Sequence, residues 1–150
     1  MLGKNILFGI IYLLISIYLI IFIPCIIGYK PLIIESGSME PILRVGGILY
    51  YKSIPLNTYK VDDILVYKVP NHIVSHRIID RNNYYFITKG DQNNTIDSNV
   101  YNNQVLGKSS NFSIPYIGYY ADYIYHHKYL LVITLLIVII DYIIERRKKC

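Results

Sequence analysis

Ile64-Leu65-Val66-Tyr67-Lys68-Val69, with Asp62-Asp63 before it and Pro70-Asn71 after it, decides the fold class. Branched and aromatic side chains suit a pleated, half-buried surface, and the flanking residues are turn formers. Working outward, Gly47-Ile48-Leu49-Tyr50-Tyr51 is a second such run. Ile73-Val74 with Ile78-Ile79, and then Tyr84-Tyr85-Phe86-Ile87-Thr88, continue the pattern. Arg81-Asn82-Asn83 reads as a hairpin turn between the last two, and Lys89-Gly90-Asp91 stops the final strand. Gln92 to Gln104 is polar and rich in Asn and Asp, a loop by composition. No internal repeat is visible. The segment from about 30 to 128 therefore predicts a small twisted, mainly β domain, long enough for a core of its own.

On both sides the β pattern gives way to apolar runs. Ile6 to Gly28 is 23 uncharged, mostly apolar residues. As a helix it covers roughly 34 Å, enough to cross a bilayer with some tilt. Lys4 precedes it, as in a signal peptide. The run is too long for a typical h-region, however, and Pro24-Cys25-Ile26-Ile27-Gly28 offers no small-x-small cleavage site. The expectation is an uncleaved transmembrane anchor over 6–28. The second run, Leu130 to Ile144, is interrupted by Asp141 and would rise only about 22 Å. Its flanks, His126-His127-Lys128 and Arg146 to Lys149, predict a second transmembrane or membrane-associated helix over 129–144. Asp141 falls near the basic end, where a charge costs less than at the bilayer centre. Basic flanks stay inside, so residues 1–5 and the tail 145–150 are expected in the cytoplasm. The β domain, 29–128, is then extracytoplasmic, on a two-pass protein of the cell (plasma) membrane.

The net charge of +5 carries no nucleic-acid signature, because the one dense basic run abuts an apolar segment. Cys25 lies in the first apolar run and Cys150 is the last residue, at opposite faces of the bilayer in a two-span topology. A disulfide between them is geometrically excluded in that topology. No Cys/His spacing resembles a zinc site, so no metal is expected.

Candidates for nucleophilic catalysis occur in chain order: Ser38, His76, and the pair Asp91 and Asp97. A serine hydroxyl needs a base to take its proton, and histidine, with an ordinary pKa of about 6.5, suits that task. A carboxylate can hold the imidazole in the required tautomer. Ser36 lies two residues before Ser38, and in an extended segment both point to one side. Its hydroxyl, with the Ser38 backbone N–H, could then serve a developing oxyanion. Taken singly, each residue also reads as an ordinary turn, strand or loop residue.

Four boxes in order lift the constellation above that reading. Ser36-Gly37-Ser38-Met39-Glu40-Pro41 resembles the nucleophile box of type I signal peptidases. Asp62-Asp63-Ile64-Leu65-Val66-Tyr67 resembles the strand that follows it, and Ser75-His76-Arg77 the base box. Lys89-Gly90-Asp91-Gln92-Asn93 through Asp97 resembles the Gly-Asp-x-Asn box with its downstream acid. Together they span about residues 32 to 118. A histidine in the base box, where the bacterial form has lysine, resembles the archaeal and endoplasmic-reticulum form. The resemblance implies Ser38 as nucleophile, His76 as general base and Asp97 as orienting carboxylate, with Asp91 sharing or supporting that role. It places Ser36 and Met39 near the oxyanion and the substrate. Many family members have two consecutive acids where this chain has Ile96-Asp97, which leaves Asp97 alone there.

The implied protein is a small twisted β-sheet or barrel-like catalytic domain on N-terminal and C-terminal transmembrane helices. It would be a membrane-bound serine endopeptidase that cleaves signal peptides from exported preproteins after small residues, needing no cofactor. Implied partners are those preproteins, membrane lipid, and other signal peptidase or translocon subunits. The alternative is a non-catalytic subunit of the same fold in a membrane secretion complex, which the complete Ser/His/Asp set opposes. A self-cleaving Ser–Lys protease of the repressor type is opposed by the apolar spans and by His76.

Overall fold

The computed structural model describes residues 2–148. Its strands are β1 (Lys30–Ile33), β2 (Ile48–Lys52), β3 (Ile64–Lys68), β4 (Ile73–Arg81), β5 (Tyr85–Lys89), β6 (Val100–Tyr101) and β7 (Val105–Ile114). The helices are α1 (Leu2–Ile26), α2 (Gly118–His126) and α3 (Lys128–Lys148). The strands form one curled antiparallel sheet in the order β1-β2-β7-β3-β4-β5-β6. The chain divides into two compact units, one made by residues up to Ile23 and from Tyr120 onward, the other by Pro24–Tyr119.

The β unit is organised around β3. Its side chains alternate between faces, and here both faces are covered, so the run is apolar throughout. Ile64 and Val66 pack with Ile34, Met39, Leu43, Leu49 and Tyr51. Leu65 and Tyr67 pack with Tyr59, Ile78, Phe86 and Val100. One strand thus feeds two apolar clusters, which is why its sequence is so informative.

β4 runs unbroken through nine residues, where the sequence pattern suggested two apolar pieces. Ser75-His76-Arg77 is therefore strand interior, with His76 opposite Leu65 on β3. A register shift between Ile78 and Asp80 bends the strand before the β4–β5 turn. Asn82 makes that turn: its side-chain oxygen accepts from the backbone N–H of Tyr84 (2.8 Å) and Tyr85 (3.0 Å).

Three features escape local pattern reading. β7 sits between β2 and β3 although its middle, Lys108-Ser109-Ser110-Asn111, is polar. Part of that polarity is met inside the fold: Lys108 pairs with Asp63 at 2.6 Å, and buried Ser109 donates to the Ser110 carbonyl at 2.6 Å. β1 carries Pro31, which an edge strand tolerates. Residues 118–126, inside the segment read as β-rich, form α2.

α1 holds the one stretch, among the described residues, long and apolar enough to cross a membrane, Ile6–Ile26. Helix α1 ends two residues short of the expected 6–28 span, because Gly28 takes a left-handed φ of +89°. Gly28 N–H then bonds the Cys25 carbonyl (3.1 Å) and Tyr29 N–H the Pro24 carbonyl (3.1 Å), a Schellman cap. In α3 the apolar stretch is shorter, Val132–Ile144.

Candidate active site

Ser38 follows β1 in a single 3₁₀ turn, Gly37–Met39, closed by Glu40 N–H on the Gly37 carbonyl at 3.0 Å. The turn is anchored from beneath. Met39 and Leu43 are buried in the core, and Leu43 N–H bonds the Met39 carbonyl at 3.0 Å. Met39 therefore enters the apolar cluster and is almost wholly shielded from the surface on which Ser38 lies. Ser36 is extended (φ −131°, ψ 155°), but Ser38 is not, so the two do not share a side for the reason expected from strand alternation. The turn nevertheless brings their hydroxyls within 3.3 Å.

His76 reaches Ser38 from the middle of β4. Its Nε2 lies 3.0 Å from Ser38 Oγ, and its Nδ1 lies 2.6 Å from Asp97 Oδ2. The His76 side chain is 10% exposed, so water does little to compete for either contact. A carboxylate on Nδ1 keeps the proton there and leaves the Nε2 lone pair facing the serine hydroxyl. Such an arrangement can take a proton from Ser38.

Asp97 comes from the polar loop after β5, tethered by its N–H on the Thr88 carbonyl at 2.9 Å. Its Oδ2 also accepts from Thr88 Oγ1 at 2.7 Å and from the Tyr67 hydroxyl at 3.2 Å. Tyr67 is pushed up to about 12, chiefly by burial; the nearby Thr88 hydroxyl opposes this and the Asp97 charge adds to it. Its phenol is thus neutral and able to donate. Its ring stands edge-on to His76, with centroids 6.4 Å apart.

Asp91 is placed elsewhere. Its two oxygens accept from Arg77 Nε (2.8 Å) and Nη2 (2.7 Å), while Arg77 Nη1 donates to the Asp62 carbonyl at 2.8 Å. The bidentate pair pushes the guanidinium pKa up, so Arg77 stays charged. Asp91 thereby ties the Gly90-Asp91 segment to β4. Next to it, Gln92 N–H bonds the Ser38 carbonyl at 2.9 Å, and its side chain donates to the Glu40 carbonyl at 3.1 Å. The loop thus grips the serine turn. Gly90 permits this approach: a Cβ there would sit 2.9 Å from the Ser38 carbonyl oxygen. Among the described residues, no cluster of three or more His, Cys, Asp or Glu side chains is placed to hold a metal ion.

No protein-family model matches the chain. Curated proteins do. Signal peptidase I W of Bacillus subtilis (strain 168) is 34% identical over 127 residues, covering 75% of this chain and 67% of that protein. The chain belongs to the type I signal peptidases. The signal peptidase complex catalytic subunit SEC11C of Homo sapiens is 30% identical over 101 residues, 57% of this chain and 52% of that protein. The catalytic subunit SEC11 of Saccharomyces cerevisiae (strain YJM789) is 32% identical over 113 residues, 65% of this chain and 66% of that protein. The chain matches about half the length of the mammalian relatives. These likenesses agree with the endoplasmic-reticulum type of signal peptidase.

In this signal peptidase fold, sequence reasoning missed Thr88 and Tyr67 at the site and Arg77 as the partner of Asp91. In the sequence Thr88 and Tyr67 carry only a strand signal. The signal that could have found them is register. Tyr67 is opposite Val74 and Thr88 opposite Ile78, which puts both on strands flanking His76.

Proposed function

We propose that the chain is a membrane-bound serine endopeptidase that removes signal peptides from exported preproteins, cutting after small residues. The observation that carries this reading is the unbroken contact series from Ser38 Oγ to His76 Nε2 (3.0 Å) and from His76 Nδ1 to Asp97 Oδ2 (2.6 Å). Ser38 Oγ attacks the scissile carbonyl carbon while His76 Nε2 takes its proton. The Ser38 backbone N–H and the Ser36 hydroxyl donate to the oxyanion. His76 then protonates the leaving amine, leaving an acyl-Ser38 ester. A water, deprotonated by His76, hydrolyses that ester and regenerates the serine. Asp97 keeps the imidazole oriented throughout, and Asp91 acts through Arg77 in holding the loop.

The apolar stretch of α1 supports membrane anchoring. We assign the apolar stretch Ile6–Ile26 to the anchor, 129–144 to a second membrane helix, and residues 1–5 and 145–150 to the cytoplasm at the plasma membrane. The β domain then works outside, on substrates held in the same bilayer, where anchoring raises their effective concentration. Preproteins are the substrates, and subunits of a secretion complex are the candidate protein partners.

The test is cleavage of a preprotein by the detergent-solubilised chain and its Ser38→Ala variant. The expected loss is at least about 10³-fold in kcat. Cleavage undiminished by Ser38→Ala would sink the serine mechanism. An intact chain that never cleaves would point to the non-catalytic subunit instead.

A further inference from the structure

We propose that Thr88 and Tyr67 are positioning residues that hold Asp97 in register with His76, an inference that rests on the serine-peptidase reading above. Asp97 lies outside the regular strands, so no ladder of its own sets the direction of its carboxylate. The two hydroxyls do. Oδ2 receives His76 Nδ1 at 2.6 Å, Thr88 Oγ1 at 2.7 Å and the Tyr67 hydroxyl at 3.2 Å.

Both donors come from the sheet. Tyr67 on β3 is opposite Val74, and Thr88 on β5 is opposite Ile78, while His76 lies between these two positions on β4. Residues 74, 76 and 78 alternate onto one face, so three neighbouring strands supply one polar row. Thr88 is 0% exposed and Tyr67 4% exposed, which leaves their hydroxyls little freedom to turn elsewhere.

The protons are accounted for. Thr88 has one, and the Asp97 oxygen at 2.7 Å is closer than the Tyr67 oxygen at 3.3 Å. Tyr67, neutral because it is buried, gives its own proton to Asp97. During attack, one proton moves from Ser38 Oγ to His76 Nε2. The Nδ1 proton, and those of Thr88 and Tyr67, stay where they are. The carboxylate remains ionised and already oriented as positive charge develops on the ring, so no dipole need turn at that moment.

The variants separate positioning of Asp97 from ordinary core packing. Preprotein cleavage is measured for the full chain in detergent with Thr88→Val, Thr88→Ser and Tyr67→Phe. Thr88→Val keeps the shape and removes the donor. It is expected to lower kcat about tenfold at unchanged KM, and Tyr67→Phe about threefold. Thr88→Ser should restore most of the rate. In an Asp97→Asn background, adding Thr88→Val should change kcat little, since the group it positions is gone. The low-field proton resonance of His76 Nδ1 gives a readout independent of turnover. It is expected in the wild type and Thr88→Ser, and weakened in Thr88→Val.

Wild-type kcat in Thr88→Val, or the same loss with and without Asp97→Asn, would overturn the proposal. So would a loss that serine fails to restore. If Thr88→Val does not fold, Tyr67→Phe in the two Asp97 backgrounds decides. Failure of the peptidase reading looks different: wild type and Ser38→Ala would then be equally inert, while the Nδ1 resonance would still report on Thr88.

Discussion

Replacing Gly90 with alanine probes the grip of the 90–97 loop on the Ser38 turn. The added Cβ would stand 2.7 Å from Asn93 Nδ2, 2.9 Å from Asn93 Cγ and 2.9 Å from the Ser38 carbonyl oxygen. The Asn93 side chain can swing aside. The Ser38 carbonyl is backbone, and ordinary contact begins near 3.4 Å, so one side must retreat by about half an ångström. If the turn moves, the Ser38–His76 distance of 3.0 Å lengthens toward about 3.5 Å, where the hydrogen bond is largely lost. If the loop moves, the 2.9 Å bond from Gln92 N–H to Ser38 is stretched instead. Overpacking of this kind costs roughly 1–3 kcal/mol in stability. Misplacing a reacting group by half an ångström lowers kcat by about tenfold. Thermal unfolding and preprotein cleavage of Gly90→Ala, alone and with Asn93→Ala, separate the contributions. The second substitution should recover part of the stability and little of the rate. A Gly90→Ala enzyme with wild-type kcat, or full recovery of rate by Asn93→Ala, would refute the contact with Ser38 as the cause.

Two further outcomes are expected. Asp97→Asn should cut kcat by about 10³- to 10⁴-fold through loss of the oriented tautomer, whereas Asp91→Asn should cost about 1 kcal/mol of stability and much less rate; equal kinetic losses would show that the two acids are not divided as the geometry implies. Tyr59 and Tyr67 are both pushed up to about 12 by burial, Tyr59 also by the Asp63 charge. A phenol whose pKa is raised on folding contributes stability fully present below its unfolded value near 10, and loses it as pH rises toward 12. Each should therefore cost about 1 kcal/mol between pH 9 and pH 11 in denaturant unfolding, and Tyr67→Phe should lose correspondingly less than the wild type. Equal stability at the two pH values would contradict this.

Much of the β unit was legible because its signals are local. β2, β3 and β5 announce themselves through branched and aromatic runs, and Asn82 through its own turn chemistry. β4 was legible only in pieces, since Ser75-His76-Arg77 breaks the apolar pattern at the point where the strand carries polar residues of the site. β7 was not legible, because a central strand need not look apolar when Lys108 has Asp63 as a partner. Ser38, His76 and Asp97 could be picked out by motif and order. Neither spacing nor composition could say which acid meets His76, and the geometry gives Nδ1 to Asp97 and Arg77 to Asp91.

Sequence alone was enough for the class of the β unit, the apolar N-terminal helix and a list of candidate residues, Ser38, His76, Asp91 and Asp97. Those follow from side-chain shape, alternation and hydrophobicity, which act within a few residues of chain. The strand order, the pairing of the two acids and the placing of Thr88 and Tyr67 beside Asp97 emerge from the folded chain. Each depends on which strands become neighbours and in what register. A shift of one residue in β3 or β5 would turn Tyr67 or Thr88 to the opposite face, away from Asp97.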